Sequence, residues 1–368
     1  MNKDKPRKTI FHVVQHLAPG GLETLVLDMM NVCSTDHDVY IISLEGTKQD
    51  AVSHWPKLRK YARQCVFLDK GAGIRVQTIR YLVKLFRQFS PDVVHTHHIG
   101  PLLYGGIAAR LSGVACRIHT EHDGWHLTQT KNALLQTWAL KLVQPILVAD
   151  ATEVKLSIEQ HLHRENIITI KNGIDCDYFA PADKIWARKQ LDLPLDKRIV
   201  GCAGRLESVK GQQWLIQALP MLPHDVHLAI AGHGSLRQEL ERLVFTMQLQ
   251  DRVTFLGLCC TMPTFYQSLD LFCLPSLNEG FPLSTLEAQA CNVPVVATSV
   301  GGTHETLCPH LSRLCPPANS AALAQEINAL LVMDRSAAAH TLRDFVVRHH
   351  NIRHMVAQYN QLALGASL

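Results

Sequence analysis

The chain alternates short apolar runs rich in β-branched residues with longer segments of helical periodicity, and this alternation occurs twice. In the first half the short runs predict strands at Thr9–Gln15, Val39–Leu44, Cys65–Leu68, Asp92–Thr96, Ala115–Thr120, Ile146–Ala149 and Ile167–Ile170. Apolar residues at helical spacing lie between most of these runs, as at Leu22–Met30 and Ile79–Phe86. Parallel strands need crossover connections, which cover both faces of their sheet. The order therefore predicts a Rossmann-like, doubly wound α/β domain.

The pattern lapses over residues 172–183, where turn formers and Pro181 predict an interdomain connection. A second series follows, with strands predicted at Ile199–Ala203, Val226–Ala231, Val253–Leu256, Leu271–Leu274 and Val293–Ala297 and helices at Gln212–Leu222, Ser235–Met247, Pro282–Cys291 and Ala321–Met333. A length of 368 residues also favours two cores over one. We predict Rossmann-like domains over 1–180 and 181–345, and a terminal helix over 346–368 that could pack back on the first domain.

Composition excludes several classes of protein. A net charge of +4 is too small to indicate nucleic-acid binding. No uninterrupted run of about eighteen apolar residues occurs, and Met1–Lys8 lacks the apolar part of a secretion signal, so we expect a cytoplasmic protein. The 11 cysteines show no Cys-x-x-Cys pair and are interpreted as reduced core residues.

Positive charge is concentrated in one segment. Lys48–Arg87 contains ten Lys or Arg residues and only two acids, Asp50 and Asp69. These cations could be solvated helix faces, or a surface that meets anionic lipid headgroups or an acidic acceptor. The segment Asn132–Gln144 carries apolar residues that could contact a lipid or belong to the core: Leu134, Leu135, Trp138, Leu142 and Val143.

Ligands of open parallel sheets bind beyond the carboxyl ends of the strands, so glycine and polar residues directly after strands are candidates for a site. Gly20 and Gly21 follow the first predicted strand and precede a helix. Such a pair lets backbone N–H groups approach a phosphate, although a plain tight turn has the same sequence. Neither domain opens with the Gly-x-Gly-x-x-Gly pattern, which argues against a dehydrogenase.

The loop after the first strand of the second domain combines Gly204 with two cations, Arg205 and Lys210. These cations could neutralise a diphosphate, in particular a departing one, or could be ordinary surface charges. Gly232 and Gly234 follow the next strand and could add backbone donors to the same pocket.

The segment Asn278–Glu287 is the most specific of these sites. Pro282 suits the first turn of a helix whose free N–H groups would then point toward a ligand. Glu279 precedes that helix and Glu287 lies inside it, where carboxylates can accept hydrogen bonds from sugar hydroxyls. Solvated helix acids are the alternative interpretation.

Histidines cluster at the ends of two predicted strands of the first domain, at His95, His97 and His98 and again at His119 and His122. No cysteine joins them at metal spacing and the His-Glu-x-x-His pattern is absent, so we expect no metal site. They are interpreted as residues that hydrogen-bond a polar substrate or as structural histidines.

The segment Glu279–Glu287 resembles the E-x7-E signature of glycosyltransferase family 4. Further segments resemble that family in the same order: Gly20–Glu23, Asp92–His95, Thr120–His122, Asn172–Asp175, Gly204–Arg205, Lys210–Gly211, Gly232–Gly234 and Gly301–Gly302. The resemblance covers nearly the whole chain.

The resemblance implies the GT-B fold, in which two Rossmann-like domains face a central cleft, and transfer of a sugar from a nucleotide diphosphate donor with retention of configuration. It implies diphosphate binding by Arg205 and Lys210 and ribose binding by Glu287. The remaining donor contacts that it implies come from Glu279, Gly280, Phe281, Pro282 and Leu283, with His122 across the cleft near the reacting carbon and Gly20 and Gly21 closing over donor and acceptor. Asp123 follows His122 where many members have glycine, so His119 is the alternative histidine.

Cleavage of the anomeric bond leaves negative charge on the diphosphate, so fixed cations and helix N-termini there stabilise the transition state without a metal or other cofactor. No nucleophilic carboxylate is evident in the first domain, which favours front-face attack over a covalent intermediate. We expect a UDP-sugar donor and a glycan or lipid-linked acceptor, as in cell-surface polysaccharide or lipopolysaccharide synthesis, at the inner face of the membrane. The alternatives are a nucleotide-sugar epimerase or phosphorylase, or a non-catalytic regulatory subunit that binds nucleotide sugars.

Overall fold

The computed structural model describes residues 7–259, 261–333, 341–363 and 365. It divides the chain into two compact units, one comprising residues up to Asn172 together with Ile352 onward, and the other Gly173–Asn351. These are called unit 1 and unit 2. The predicted domain boundary lies between residues 180 and 181, and the observed division between the units lies between Asn172 and Gly173.

Unit 1 is built on parallel strands, since each predicted run forms a strand within one or two residues of its expected bounds. They are β1 (Thr9–Val14), β2 (Asp38–Ser43), β3 (Cys65–Phe67), β4 (Val93–His97), β5 (Cys116–Glu121), β6 (Ile146–Ala149) and β7 (Ile168–Thr169). They form a seven-stranded sheet in the order β3-β2-β1-β4-β5-β6-β7. The order reverses direction between β1 and β4, which is where ligands bind in sheets of this type.

Helices connect these strands on both faces of the sheet. They are α1 (Gly21–Cys33), α2 (Lys48–His54), α3 (Val76–Phe89), α4 (Ile99–Pro101), α5 (Ile107–Leu111), α6 (Thr130–Val143) and α7 (Thr152–Leu162). A π-helical turn, Leu102–Gly106, joins α4 to α5, and short 3-10 helices occur at Pro56–Tyr61 and Trp125–Thr128. Buried residues such as Phe11, Ile42, Leu82 and Val94 form the core beneath α3 and α5.

Unit 2 repeats this architecture with α8 (Lys184–Gln190) and a six-stranded parallel sheet. Its strands are β8 (Arg198–Ala203), β9 (Val226–Ala231), β10 (Val253–Gly257), β11 (Leu271–Leu274), β12 (Val295–Thr298) and β13 (Ser312–Cys315), in the order β10-β9-β8-β11-β12-β13. The other helices are α9 (Gln212–Ala218), α10 (Arg237–Thr246), α11 (Met262–Gln267), α12 (Leu283–Ala290), α13 (Ser320–Leu331) and α14 (Thr341–His349), with 3-10 helices at Ser208–Lys210, Leu219–Met221, Gln250–Arg252 and Gly301–Thr306.

The prediction of two parallel-sheet, Rossmann-like units is confirmed, and the structure adds elements to it, among them β13, α8 and α11. The edge strand β13 was not predicted, because it pairs only with β12 and leaves Arg313 and Leu314 exposed, so it lacks the apolar run of a central strand. Helix α8 was not predicted either. It begins after Asp183, whose side chain accepts a hydrogen bond from the Trp186 N–H at 2.6 Å, as N-cap residues do.

The C-terminal segment forms two helices where one was predicted over 346–368. Helix α14 belongs to unit 2, and α15 (Ile352–Ala363) belongs to unit 1, where it contacts α1. Leu364 and residues 366–368 of that prediction lie outside the described residues. Across the described helices, none is long and apolar enough to span a bilayer.

Candidate active site

In unit 2 the loops after β8 and β9 are packed closely enough to require glycine. Gly232 has a φ of +144°, and a Cβ atom at this position would lie 1.9 Å from the Gly204 carbonyl oxygen. The Gly204 N–H donates to the Ala231 carbonyl at 3.0 Å, and the Leu206 N–H donates to the His233 carbonyl at 3.0 Å. Both loops therefore lie together at the carboxyl end of the sheet, with the predicted residues Gly204, Gly232 and Gly234 in them.

Lys210 and Glu279, predicted separately from two segments, form an ion pair. The Lys210 Nζ atom lies 2.7 Å from Glu279 Oε1, and Ser276 donates its hydroxyl hydrogen to the same oxygen at 2.6 Å. The Glu279 side chain is largely buried and that of Lys210 is less so. Arg205 lies in the same loop as Lys210 and is exposed. The ammonium group is thus held in place at the strand ends before any ligand binds.

Helix α12 begins beside this ion pair. Pro282 is its N-cap residue, in extended backbone conformation, whereas we predicted it in the first turn. No side chain caps the helix, so its first N–H groups are available to an anion. Gly301, with a φ of +48°, packs so closely on the preceding loop that a Cβ atom would lie 1.8 Å from the Glu279 carbonyl oxygen.

Glu287 lies within α12 and contacts a tyrosine that sequence reasoning did not identify. The fully buried Tyr266 donates its phenolic hydrogen to Glu287 Oε2 at 2.6 Å. Burial, and then the charge of Glu287, raise the pKa of Tyr266 well above its usual value, so its hydroxyl remains a donor. This contact fixes the direction of the Glu287 carboxylate.

In unit 1, Gly20 and Gly21 open α1 as predicted. Gly20 is the N-cap residue, in extended conformation, and no side chain caps the helix. Glu23, in the first turn, is buried and lies 2.9 Å from His16 Nδ1. This ion pair raises the pKa of His16, since the hydrogen bond to Glu23 outweighs partial burial.

One face of the unit 1 sheet carries a continuous row of polar side chains near the carboxyl ends of its strands. Residues that pair in register point to the same side of a sheet, as do alternate residues of one strand. His12 pairs with His95, and His97 pairs with Thr120. The polar row consists of His12, His95, His97, Thr120, His122, Asp150 and Asn172.

Hydrogen bonds connect five members of the polar row, and His95 and Thr120 form a separate pair within it. His12 Nδ1 lies 3.1 Å from His97 Nε2, and His97 Nδ1 lies 3.0 Å from His122 Nε2. His122 Nδ1 lies 3.0 Å from Asp150 Oδ2, which also accepts from the Asn172 amide at 2.7 Å. The other oxygen of Asp150, Oδ1, is buried and has no partner among the described residues.

The opposite face of the same sheet carries a separate network centred on Glu121. This buried carboxylate contacts His119 Nε2 at 3.2 Å and His98 Nδ1 at 3.4 Å, and it accepts a hydrogen bond from the Gln136 amide. Burial raises the pKa of Glu121, but the hydrogen bonds with His119 and His98 outweigh it and hold the pKa far below the usual value. The hydrogen bonds therefore favour the ionised form of this buried carboxylate, which contacts Gln136 of α6.

His119 is fully engaged by this second network, since its Nδ1 lies 2.9 Å from Thr96 Oγ1 and its Nε2 contacts Glu121. His126 lies at the edge of the network, 2.8 Å from Asp123. Burial by itself would lower the pKa of His126, but the hydrogen bond to Asp123 and the charge of Glu121 outweigh burial and raise the pKa to about 9. His98 has a φ of +66°, a strained conformation that is frequent at functional sites.

The geometry brings some predicted residues together and adds others. Lys210 and Glu279 are in contact, and Gly204, Gly232 and Gly301 hold the loops around them. The residues that sequence reasoning missed are Ser276, Tyr266, His12, Asp150 and Tyr359. Ser276 lies only three residues before Glu279, whereas the other four make their contacts over 21 or more residues, so no local motif indicates them.

Two protein-family models match the chain. The model described as Glycosyltransferase Family 4 matches residues 19–178, and the model described as Glycosyl transferases group 1 matches residues 183–342. Together they cover both units.

Two curated relatives are similar to a part of the chain. The UDP-Gal:α-D-GlcNAc-diphosphoundecaprenol α-1,3-galactosyltransferase of Escherichia coli is 31% identical over 240 residues, which cover 61% of this chain and 62% of the relative. The D-inositol 3-phosphate glycosyltransferase of Mycolicibacterium smegmatis is 36% identical over 235 residues, which cover 57% of this chain and 52% of the relative. The aligned part thus spans less than two thirds of each relative.

Solved structures match the chain over almost its full length. The Anabaena protein HepE, in complex with UDP and glucose, has a TM-score of 0.85 and 21% identity over 98% of this chain and 100% of its own. The lipopolysaccharide outer core galactosyltransferase WaaB has a TM-score of 0.70 and 16% identity over 97% of this chain and 99% of its own. At these identities the likeness establishes the fold.

Proposed function

The chain belongs to glycosyltransferase family 4, and on that premise we propose that it transfers a hexose from a UDP-sugar to a glycan or lipid-linked acceptor, with retention of configuration. The observation that carries this proposal is the Lys210–Glu279 ion pair at the uncapped N-terminus of α12. A fixed cation next to free backbone N–H groups suits a diphosphate, and a carboxylate beside them suits sugar hydroxyls.

Lys210 acts on the departing diphosphate in this proposal. As the anomeric bond breaks, negative charge grows on the distal phosphate. The ammonium group and the N-terminus of α12 stabilise this added charge, so they lower the energy of the transition state more than that of the bound donor. Arg205, in the same exposed loop, adds a second cation. Neither contact requires a metal, so we propose that the transfer step proceeds without one.

Glu279 and Glu287 bind hydroxyl groups at the two ends of the donor. Glu279 contacts the transferred sugar together with the backbone of Gly280, Phe281 and Leu283, and Glu287 contacts the ribose. The Tyr266 hydroxyl already occupies Glu287 Oε2 at 2.6 Å, so it orients the carboxylate for this contact. A carboxylate has room for several donors, which allows it to accept from Tyr266 and from a ribose at once.

His122 is the unit 1 residue that we assign to the transferred sugar. Asp150 holds its Nδ1 at 3.0 Å, as orienting carboxylates hold reactive histidines. His119, the alternative, has both ring nitrogens occupied by Thr96 and Glu121 on the other face of the sheet. Both ring nitrogens of His122 are paired as well, but its side chain is 9% exposed whereas that of His119 has no exposed surface, and this difference in exposure favours His122.

The donor is tested by thermal unfolding with UDP, GDP, ADP and their sugar derivatives. A ligand at one hundred times its Kd stabilises the folded state by about 2.7 kcal/mol. For a unit of this size we therefore expect UDP-sugars to raise Tm by roughly 5–10 °C. A shift with GDP- or ADP-sugars only would contradict the assignment of UDP, and no shift with any nucleotide would contradict the donor site.

Transfer is then separated from epimerisation by product analysis. The donor that binds is incubated with and without an acceptor mixture of undecaprenyl-linked saccharides. A transferase forms a new glycoside only with acceptor, whereas an epimerase changes the donor without one. A regulatory subunit would bind the donor and leave it unchanged in both mixtures.

A lipid-linked acceptor is favoured by the surface of α6. Leu134 and Trp138 are 67% and 54% exposed, and Leu135 and Leu142 are exposed beside them. Lys131 and Lys141 lie on the same exposed side of the helix. An apolar strip flanked by cations suits the headgroup region of an anionic membrane.

We expect the protein to sediment with vesicles of phosphatidylglycerol at low salt and to remain in solution with phosphatidylcholine alone. Trp138→Glu should reduce the bound fraction severalfold, because it places a charge in the apolar strip. The matched control is Phe245→Glu, at a residue of unit 2 that is 70% exposed. If wild-type protein does not sediment with anionic vesicles at low salt, the membrane proposal is wrong.

A further inference from the structure

Three buried histidines from two neighbouring strands meet on the sheet of unit 1. His12 on β1 pairs in register with His95 on β4, and His97 follows two residues later on the same face. Each is at most 2% exposed. One ring nitrogen from each of the three lies within 4.8 Å of the others.

The spacing of these nitrogens suits a transition-metal ion. With metal–nitrogen bonds of about 2.0–2.1 Å, two ligands of a tetrahedral ion are roughly 3.3 Å apart. His12 Nδ1 and His97 Nε2 lie 3.1 Å apart. A small movement of the two rings would therefore admit an ion between them.

The second ring nitrogen of His97 is held by outer partners. His97 Nδ1 lies 3.0 Å from His122 Nε2, and His122 Nδ1 lies 3.0 Å from Asp150 Oδ2. These contacts orient the ring of His97 through its Nδ1 atom. Its Nε2 atom faces His12 Nδ1 at 3.1 Å, and a bound ion would replace this contact.

The third ring is also held by an outer partner. His95 Nε2 lies 2.7 Å from Thr120 Oγ1, which lies 2.9 Å from the hydroxyl of Tyr359 on α15. Outer hydrogen bonds of this kind orient the histidine ligands of metals.

We propose that His12, His95 and His97 bind one divalent first-row transition-metal ion, for which Zn²⁺ is the best match. Three histidines are a known ligand set for Zn²⁺ and leave a fourth position open. The site goes beyond the proposed transferase activity and does not depend on it, because none of its three ligands is assigned to the donor and all three lie in unit 1. The ion joins β1 to β4 and, through His97, fixes the ring of His122.

The local spacing of the histidines argued against a metal, since only His95 and His97 are near each other in sequence. His12 lies on β1, 85 residues before His97 in the sequence. The pairing of β1 with β4 brings it to the site. Sequence motifs for zinc sites contain ligands at short spacing along the chain, so they do not detect this set of histidines.

The test measures bound metal directly, so it is independent of transfer activity. The full chain is produced in zinc-supplemented medium on a tag without histidine, and its metal content is measured by mass spectrometry before and after treatment with EDTA. The treated protein is then titrated with Co²⁺, whose visible spectrum reports four-coordinate ligation. We expect about one ion per chain in the isolated protein, and a four-coordinate Co²⁺ spectrum.

Variants identify the ligands. His12→Gln and His95→Gln should lower the metal content at least about tenfold, whereas His54→Gln, at an exposed histidine of α2, should not change it. Metal lost equally in all three variants, or a wild-type protein without metal whose Co²⁺ spectrum is that of the hydrated ion, would overturn the proposal. The wild-type spectrum decides the matter even if a variant does not fold.

Discussion

Replacing Lys210 with alanine is expected to lower the rate of UDP release from the donor by about 10²–10³-fold, the size of effect found when one preorganised charge-stabilising group is removed. Lys210 is held by Glu279 at 2.7 Å, so its charge is in position before the reaction begins. Because negative charge on the diphosphate grows in the transition state, the loss should fall mainly on kcat. The measurement is steady-state UDP release at varied donor concentration, with circular dichroism to verify folding.

The control for Lys210→Ala must account for Glu279, which loses its ion-pair partner in this variant. Without Lys210 the largely buried carboxylate of Glu279 has lost its cation, which could disturb the loop by itself. The double variant Lys210→Ala, Glu279→Gln removes that unpaired charge. If activity returns in the double variant, the role of Lys210 is structural, and the assignment to the diphosphate is wrong.

A second control tests whether any lysine of the unit has this effect. Lys184 is also paired, 2.7 Å from Asp270, but it is 43% exposed and lies on α8, remote in sequence from the glycine loops. Exposed pairs contribute about 0–1 kcal/mol. Lys184→Ala should therefore leave UDP release nearly unchanged.

The fold was largely predictable from the sequence because buried parallel strands contain little except apolar, β-branched residues. Val226–Ala231 was predicted with its observed bounds, and every residue of it is buried. Edge elements lack that signal. Strand β13 was missed because only one of its neighbours is a strand and its middle residues are exposed.

The site was predictable only where its residues are close in sequence. The loop before α12 was found from the order of Glu279, Pro282 and Glu287. The polar row of unit 1 was not, because Asp150 and Asn172 follow different strands, β6 and β7, and meet His122 only through the pairing of those strands. A single sequence does not specify register directly, so these long-range contacts required the structure.

Glycine roles show the same limit. Gly301 was noted only as part of a resemblance, yet a Cβ atom there would lie 1.8 Å from the Glu279 carbonyl oxygen. Position 301 requires glycine because it packs on the loop at Glu279, which lies 22 residues earlier in the sequence. Sequence reasoning gave no physical reason for a glycine at this position, and the structure supplies one, the close contact with the backbone of Glu279.

Replacing Glu287 with alanine is expected to weaken UDP binding by about 10²-fold, since two hydrogen bonds to a charged group contribute roughly 1.5–3 kcal/mol each and part is recovered from water. The ribose hydroxyls do not change during the reaction, so ground state and transition state lose the same contact. The donor KM should rise with little change in kcat, the opposite of the result expected for Lys210. Titration calorimetry with UDP and steady-state kinetics together measure both quantities.

Two variants separate the ribose contact from a general loss of charge or packing. Glu241→Ala removes an exposed carboxylate of the same unit, paired with Arg237 at 2.6 Å, and should leave UDP affinity unchanged. Tyr266→Phe keeps the buried ring and removes the hydroxyl that orients Glu287 at 2.6 Å, so it should weaken UDP binding less than Glu287→Ala does. A fall in kcat at unchanged KM in Glu287→Ala would instead place this carboxylate at the reacting bond, because only a contact made in the transition state alone lowers kcat without changing donor binding.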